Sequence, residues 1–455
     1  MTDPLPSRVE RIKEGKALRR HSPREDHAEL HGPRDRDAVA ILAEGDASRV
    51  PELVPERYKR MTVNAFAFLR GAAAVMASDL AHQPKAGASV QACGDCHLMN
   101  FGAFETPEDN ILFDINDFDE TLPNVDFTID LKRLAASVTV AAEAANISKK
   151  RARALAATTV TAYREHMLAI AQLSPLEIWR SKINLERELK VIENRELRHS
   201  LATIIAKARK DGLAKDDNYP SLVTGDVPRI ADKPPAIFHL DPEADARHSL
   251  DATRVFDSYR RILTPDRLTL VERYQLTDLA FKAVGVGSVG TFCCVGLFLS
   301  GDGEPLFLQV KEAQASVLER LGPEFTYKGP QGRRVVEGQR MMQAASDIFL
   351  GWTEDETAQR QFYVRRLKNR RLGGISELAE EEALRDYARL CGRTLARAHA
   401  RSGDPAVIAG YMGKSGVFDD AIASFASAYA DQTATDYAAL VKAKTETRVK
   451  KLKSA

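Results

Sequence analysis

The stretch at residues 278–310, DLAFKAVGVGSVGTFCCVGLFLSGDGEPLFLQV, limits the fold more than any other part of the chain. It reads as strand, glycine-rich turn, strand, Gly-Asp-Gly turn and strand. Runs joined by links this short pair antiparallel, because a parallel pair needs a crossover of a dozen or more residues. Around this meander the sequence is helical. Residues 56–82 read as one or two helices. Residues 130–146 (DLKRLAASVTVAAEAAN) and 148–173 read as two more, the second with Ser148 as N-cap, and 186–213 as a charged amphipathic helix. A short strand-like SVQACGD and the strand ILFDIN flank a polar loop, HLMNFGAFETPEDN. Helices return around 335–350 and from about 377 onward, and FYVRRL at 362–367 is a further strand. The expected class is α+β, a small antiparallel sheet with helical regions before and after it.

Four regions follow from this reading. Residues 1–44, dominated by Arg, His, Asp and Pro, form a mobile or surface-hugging arm. Residues 45–250 form a helical lobe that ends in a Pro/Gly/Asp-rich connection, 251–375 a small β-rich lobe, and 376–455 C-terminal helices that pack on the helical lobe. A chain of 455 residues buries a large core without disulfides or a structural metal. Lys plus Arg is 65 against 64 for Asp plus Glu, so nothing in the net charge of +1 argues for a nucleic-acid or membrane-surface partner. The five cysteines are odd in number and two are adjacent, Cys293 and Cys294, unlike a disulfide framework. No apolar run suits a signal peptide or a membrane span, so a reducing, cytoplasmic setting is expected.

Gly285 to Gly290 (GVGSVG) fits G-x-G-x-x-G. The dinucleotide-binding form of that motif needs a helix after the third glycine, but TFCCVGLFL follows here. A glycine loop inside a β-hairpin is the kinase arrangement, in which bare backbone covers the ATP phosphates. Gly285, Gly287, Ser288 and Gly290 are then the phosphate cradle, and Lys311, ending the next strand, is the lysine that pairs with the phosphates. Such a lysine must be held by a helix-borne carboxylate, Glu337 in RRVVEGQRMM by first choice and Glu319 by second. The alternative is a glycine-rich hairpin with an exposed lysine.

Phosphoryl transfer also needs a carboxylate at the attacking hydroxyl and oxygen ligands for Mg²⁺. Asp95 and Asn100 in CGDCHLMN supply a base and a metal ligand on one loop. Asp117 in INDFDE supplies a second ligand, with Asp119 assisting. GDCHLMN followed by INDFDE resembles the H-G-D-x-H-x-x-N and I-D-F-D-D motifs of aminoglycoside phosphotransferase-like and choline-kinase-like enzymes. The resemblance implies a two-lobed kinase-like fold that uses ATP and Mg²⁺. It places His97 on the motif's second histidine, and Asp130 (IDLKRL) at the aspartate that supports the catalytic loop. There are two departures. Cys93 stands where those enzymes have histidine, and the catalytic loop precedes the glycine loop, as a circular permutation would produce. Over nearly its whole length the chain also resembles a widespread bacterial family of uncharacterised proteins, through NAFAFLRGAA, FDINDFDET, DLKRLAAS, VVEGQR and LARAHARSGD.

The expected activity is ATP- and Mg²⁺-dependent phosphate transfer to a small hydroxyl-bearing molecule. The oligomeric state is not legible in the sequence. The alternatives are a pseudokinase-like nucleotide-binding module, or transfer of AMP in place of phosphate. Cys93–His97 also spells C-x-x-C-H, the haem-attachment motif, and four of the cysteines offer a formal zinc set, although inert buried thiols suit adjacent cysteines better. His399 in LARAHARSGD reads as a satisfied histidine near a helix end; its functional reading places it with Asp404 near the pocket. Arg57, Arg60 and Arg70 are candidate anion contacts or solvated arginines.

Overall fold

The computed structural model describes residues 5–33, 36–108, 110–211, 220–223, 225, 227–234, 236–239, 250–283, 289–355, 359–367 and 380–453. Helices and small antiparallel sheets make up the chain, an α+β architecture. Four short strands come first: β1 (Ser89–Ala92), β2 (Phe101–Glu105), β3 (Ile111–Ile115) and β4 (Leu122–Asp126). β1 pairs with β4 and β2 with β3, both antiparallel. β5 (Leu222–Val223) and β6 (Arg229–Ile230) form a minor pair. The principal sheet contains β7 (Ile237–Phe238), β8 (Tyr274–Lys282), β9 (Cys293–Ser300), β10 (Pro305–Glu312), β11 (Gly351–Asp355) and β12 (Arg360–Arg366). Its order is β11-β12-β10-β9-β8-β7, antiparallel throughout.

The meander forms because its residues alternate as a pleated strand demands. Phe281, Cys294, Leu308, Val310, Phe362 and Val364 share one face and bury under Val255, Phe256 and Tyr259 of the Ala252–Arg261 helix. The opposite face is divided. Ala280, Val295, Leu297 and Phe307 cluster with Ile230 and Ile237, whereas Gln309, Lys311, Tyr363 and Arg365 present polar groups toward the helical side.

On that side the Phe127–Ala144 helix is central, buried at every residue from 127 to 142. It is a core helix, so the polar side chains it carries, Asp130, Lys132 and Arg133 among them, are buried and find hydrogen-bond partners. Lys149–Ile170, Glu381–Ser402 and Val417–Lys453 pack around it. The arm also has structure. A Ser7–Glu10 capping box starts the Arg8–Leu18 helix, which lies on Pro405–Met412. Arg19 and Arg24 then donate to the Tyr411 and Met412 carbonyls at the end of that helix, where cations are favoured.

Several expected elements shift. Residues 56–82 divide into Val54–Met61, Ala65–Gly71 and Ala73–Leu80, with Asn64 capping the second by accepting from Ala67 N. The 186–213 helix splits into Leu185–Glu188 and Arg195–Asp211, separated at Asn194, whose side chain accepts from Leu197 N. The helix expected at 335–350 is Gln331–Met342 and starts directly after Pro330. The polar loop contains β2, and β4 and β11 were not expected at all. No helix among the described residues is long and apolar enough to cross a membrane.

Candidate active site

Asp130 lies in the first turn of the Phe127–Ala144 helix, 1% exposed, and its carboxylate accepts from the backbone N–H of Cys93 (2.6 Å) and Gly94 (2.9 Å). Behind it, His399 Nε2 stands 3.1 Å from Asp130 Oδ2, and Tyr163 Oη 2.9 Å from His399 Nδ1. A carboxylate accepts, so the Nε2 position donates and Nδ1 takes the tyrosine hydroxyl. Three helices thus converge on the loop that starts at Cys93. Gly94 has φ +91°, and a Cβ there would fall 2.2 Å from the Glu120 carbonyl oxygen. The loop therefore needs glycine both for its backbone conformation and for its close approach to residues 117–121.

His399→Leu removes the donor behind Asp130 at the cost of about one hydrogen bond, so amide exchange at Cys93 and Gly94 is expected to accelerate about five- to tenfold. His399→Gln, which offers an N–H near the Nε2 position, should exchange close to the parent rate. Equal rates in all three proteins, measured by NMR, would mean that Asp130 holds the loop unaided.

Asp95 follows Gly94 and lines the cleft described below. Its Oδ1 accepts from Arg133 Nε at 2.7 Å and also from Arg133 Nη2, while Oδ2 lies 3.6 Å from His97 Nε2. Burial lifts the Asp95 carboxyl above its ordinary value, against the pull of Arg133. Asn100 is not among the cleft-lining residues; its Nδ2 donates to the Asp95 carbonyl and holds the loop. His97 Nδ1 accepts from Met99 N, which ties that ring into the same turn.

Asp117 lines the cleft, and its Oδ1 accepts from Asp119 N at 3.4 Å. Asp119 reaches the sheet: Oδ2 pairs with Lys311 Nζ, and Oδ1 accepts from Tyr363 Oη at 2.7 Å. Lys311 is 2% exposed. The expectation that Glu337 holds Lys311 is therefore corrected. Glu337 is half exposed and pairs with Arg333 one turn earlier, on the outer stripe of its helix. Glu319, the second choice, lines the cleft but is not the lysine's partner; Tyr327 N donates to it. That helix instead sends Arg334 inward, donating to the backbone carbonyls of Thr121, Asp119 (2.9 Å) and Gln314 (2.8 Å).

Between this loop and the end of the sheet marked by Thr291, Glu312 and Arg360 lies a cleft of about 880 Å³. Asp95, Asp117, Asp119 and Glu120 line it, with Arg49, Arg57, Arg70 and Arg360 also in its wall. Burial pushes the Glu120 carboxyl up to about 7, although its side chain accepts from Val317 N at 2.7 Å. Gly290, the described glycine of the loop motif, has φ +91°, and its carbonyl accepts from Val50 N at 2.8 Å. Gly285, Gly287 and Ser288 lie outside the described residues. Arg57 pairs with Asp46, and Arg60 with Glu56 away from the cleft. Asp404 caps the Pro405–Met412 helix and pairs with Arg11, so His399 and Asp404 do not share a pocket.

Among the described residues no group of three or more His, Cys, Asp or Glu side chains is placed to hold a metal ion, and all five cysteines are free and buried. The thiols are therefore not arranged as a zinc site. Sequence reasoning missed Arg133, Tyr363, Arg365 and Arg334. Strand alternation was a usable signal for two of them, since Tyr363 and Arg365 fall opposite Phe362 and Val364.

The chain belongs to a family described as "Uncharacterized protein conserved in bacteria (DUF2252)", whose model matches residues 49–443. No curated protein and no solved structure matches it.

Proposed function

We propose that this member of the family binds ATP with Mg²⁺ in the 880 Å³ cleft and transfers phosphate to a small hydroxyl-bearing molecule. One observation carries the reading. Lys311 of the sheet and Asp119 of the D-F-D turn, 192 residues apart, meet in a buried ion pair beside the carboxylates Asp95 and Asp117. Lys311, Asp119, Asp95 and Asp117, four of the residues to which this reading gives roles in phosphoryl transfer, thus come near one another from both halves of the chain. An antiparallel sheet bearing Lys311, set over a helical body bearing Asp95, suits the two-lobed arrangement, and the chain order suits a circular permutation.

In this reading Asp95 accepts the hydroxyl proton through Oδ2, because Arg133 occupies Oδ1. Asp130, backed by His399, and Asn100 keep the loop in place. Mg²⁺ commonly takes one or two protein carboxylates and leaves its other positions to phosphate and water. Asp117 meets that demand, with Asp119 second, and Asn116 Oδ1 next to it is buried without a hydrogen-bond partner. When bound, the ion would neutralise phosphate charge.

Isothermal titration with ATP, with and without Mg²⁺, tests the proposal. Asp117→Asn is expected to weaken Mg²⁺-dependent binding at least about tenfold, whereas Asp95→Asn retains binding and loses turnover. Absence of ATP binding by the parent protein refutes the reading. A second reading, nucleotide binding without catalysis, is favoured by the burial of Lys311 against Asp119. It predicts binding with no turnover on a panel of hydroxyl compounds. Label from the γ-position in the product indicates phosphate transfer, and label from the α-position indicates AMP transfer.

A further inference from the structure

We infer that Arg49 is a positioning residue of the nucleotide site, one that fixes the last turn of the glycine motif against the cleft; this rests on the nucleotide reading above. Residues 42–53 cross from one half of the molecule to the other. Leu42, in the Ala38–Glu44 helix, is buried with Met61, Phe68 and Leu440 on the helical side. Val50 and Leu53 are buried with Val289 and Phe292 in the core under the principal sheet. Between these two anchors, Gly45, Ser48 and Arg49 form part of the cleft wall.

The crossing is gripped at three points. Asp46 pairs with Arg57 and accepts from Tyr58 Oη at 2.6 Å, which fixes it to the Val54–Met61 helix. Ser48 Oγ donates to Gln314 Oε1 at 3.0 Å, and Gln314 Nε2 donates back to the Ser48 carbonyl at 3.1 Å, on the segment that leaves β10 just after Lys311. The third grip is on the glycine motif itself. Arg49 Nη1 donates to the Val289 carbonyl, and Val50 N donates to the Gly290 carbonyl at 2.8 Å. The Arg49 stem also lies over Gly290, where an added Cβ would come within 3.0 Å of Arg49 Cβ. The third glycine of the motif is therefore needed under the arginine as well as for its φ of +91°. Two consecutive carbonyls at the end of the motif are held by two consecutive residues of a segment rooted in the helical body. Backbone that covers phosphates must sit at a set height over the carboxylates, because a misplacement of about 1 Å is enough to lose productive geometry. Arg49 acts on the nucleotide through the turn it holds.

Arg49→Met keeps the stem over Gly290 and removes the donor, whereas Arg49→Lys keeps a donor. Both are compared with the parent for thermal melt, for exchange of the Val50 N–H and for ATP affinity by titration with Mg²⁺. Arg49→Met is expected to keep the parent's melt, to exchange the Val50 N–H about five- to tenfold faster and to bind ATP about five- to tenfold more weakly, as the loss of about one hydrogen bond implies. Arg49→Lys should recover most of both effects. Faster exchange with parent-like ATP affinity overturns the inference, because the crossing then serves only the fold. Weaker ATP binding with parent-like exchange also overturns it, because Arg49 then meets the nucleotide directly. If Arg49→Met fails to fold, Ser48→Ala, which cuts the neighbouring grip, decides: faster exchange with several-fold weaker ATP binding supports the inference, and parent-like affinity overturns it. Each of these reversals leaves the nucleotide reading intact. A parent protein that binds no ATP refutes that reading and the role of Arg49 with it.

Discussion

Asp119→Ala is expected to lower the unfolding free energy by about 3–5 kcal/mol, because it strands the Lys311 ammonium in the interior. The lysine side chain is 3% exposed and Asp119 is its carboxylate, so solvent cannot take over the lost interaction. Against a typical stability of about 5–15 kcal/mol, such a loss is visible in urea denaturation as a large fall in midpoint. Asp119→Ala combined with Lys311→Met removes both charges and should recover most of the loss, since apolar replacement of a buried pair is often neutral. A change below about 1 kcal/mol in the single variant would show that Lys311 finds water or another anion.

The pair also has a pH signature. Burial opposes ionisation of Asp119, but the Lys311 ammonium and the Tyr363 hydroxyl outweigh it and hold the carboxyl below its ordinary value. The same attraction outweighs burial at Lys311 and holds that ammonium above its ordinary value. A depressed carboxyl contributes stability above its unfolded pKa and loses it as pH falls through the folded one. A raised lysine contributes below its unfolded pKa and loses it as pH rises through the folded one. The pair's contribution is therefore flat across neutral pH and disappears at both extremes.

Asp114→Ala should cost a similar amount, about 3–5 kcal/mol or more. Asp114 and Arg397 pair with side chains only 1% exposed each. Asp114 also accepts from Ile115 N and Ala344 N, both at 2.9 Å, and Arg397 donates to the Met342 carbonyl at 2.6 Å. The pair thus ties β3, the end of the Gln331–Met342 helix and the Glu381–Ser402 helix together. Removing the carboxylate leaves a buried guanidinium and unpaired amides, each of which costs free energy in its own right. Arg397→Met with Asp114→Leu is expected to restore much of the stability in the same urea experiment. A single variant as stable as the parent would mean that the arginine reaches solvent.

What the sequence disclosed depended on whether the determining interactions were local. The β8–β10 meander, the Phe127–Ala144 helix and FYVRRL as a strand were legible, because alternation and helical period act within a few residues. β2 (FGAFE) was hidden by its central glycine and by the polar residues on either side, since its pairing with β3 is what makes it a strand. Glu337 was misassigned because it was chosen as a carboxylate on a helix, without regard to which face of that helix it occupies. The buried stripe Val335, Val336, Gln339 and Met342 leaves Arg333 and Glu337 facing outward, as the helical period could have indicated. Asp119 as the lysine's partner was out of reach, because no local signal links positions separated by 192 residues.

That same separation governs the order of events as the chain folds. The pairing of β9 with β10 and the packing of Lys149–Ile170 on Phe127–Ala144 form from contacts close in sequence, which are the fast ones. The contact between Lys311 and Asp119 must wait until the sheet docks on the helical body, across a long and entropically costly closure. Until then both charges stay hydrated, and their desolvation falls late on the path. A contact made that late is absent from the transition state. Weakening it leaves the refolding rate nearly unchanged and appears as faster unfolding, so the lifetime of the folded protein is set at the cleft.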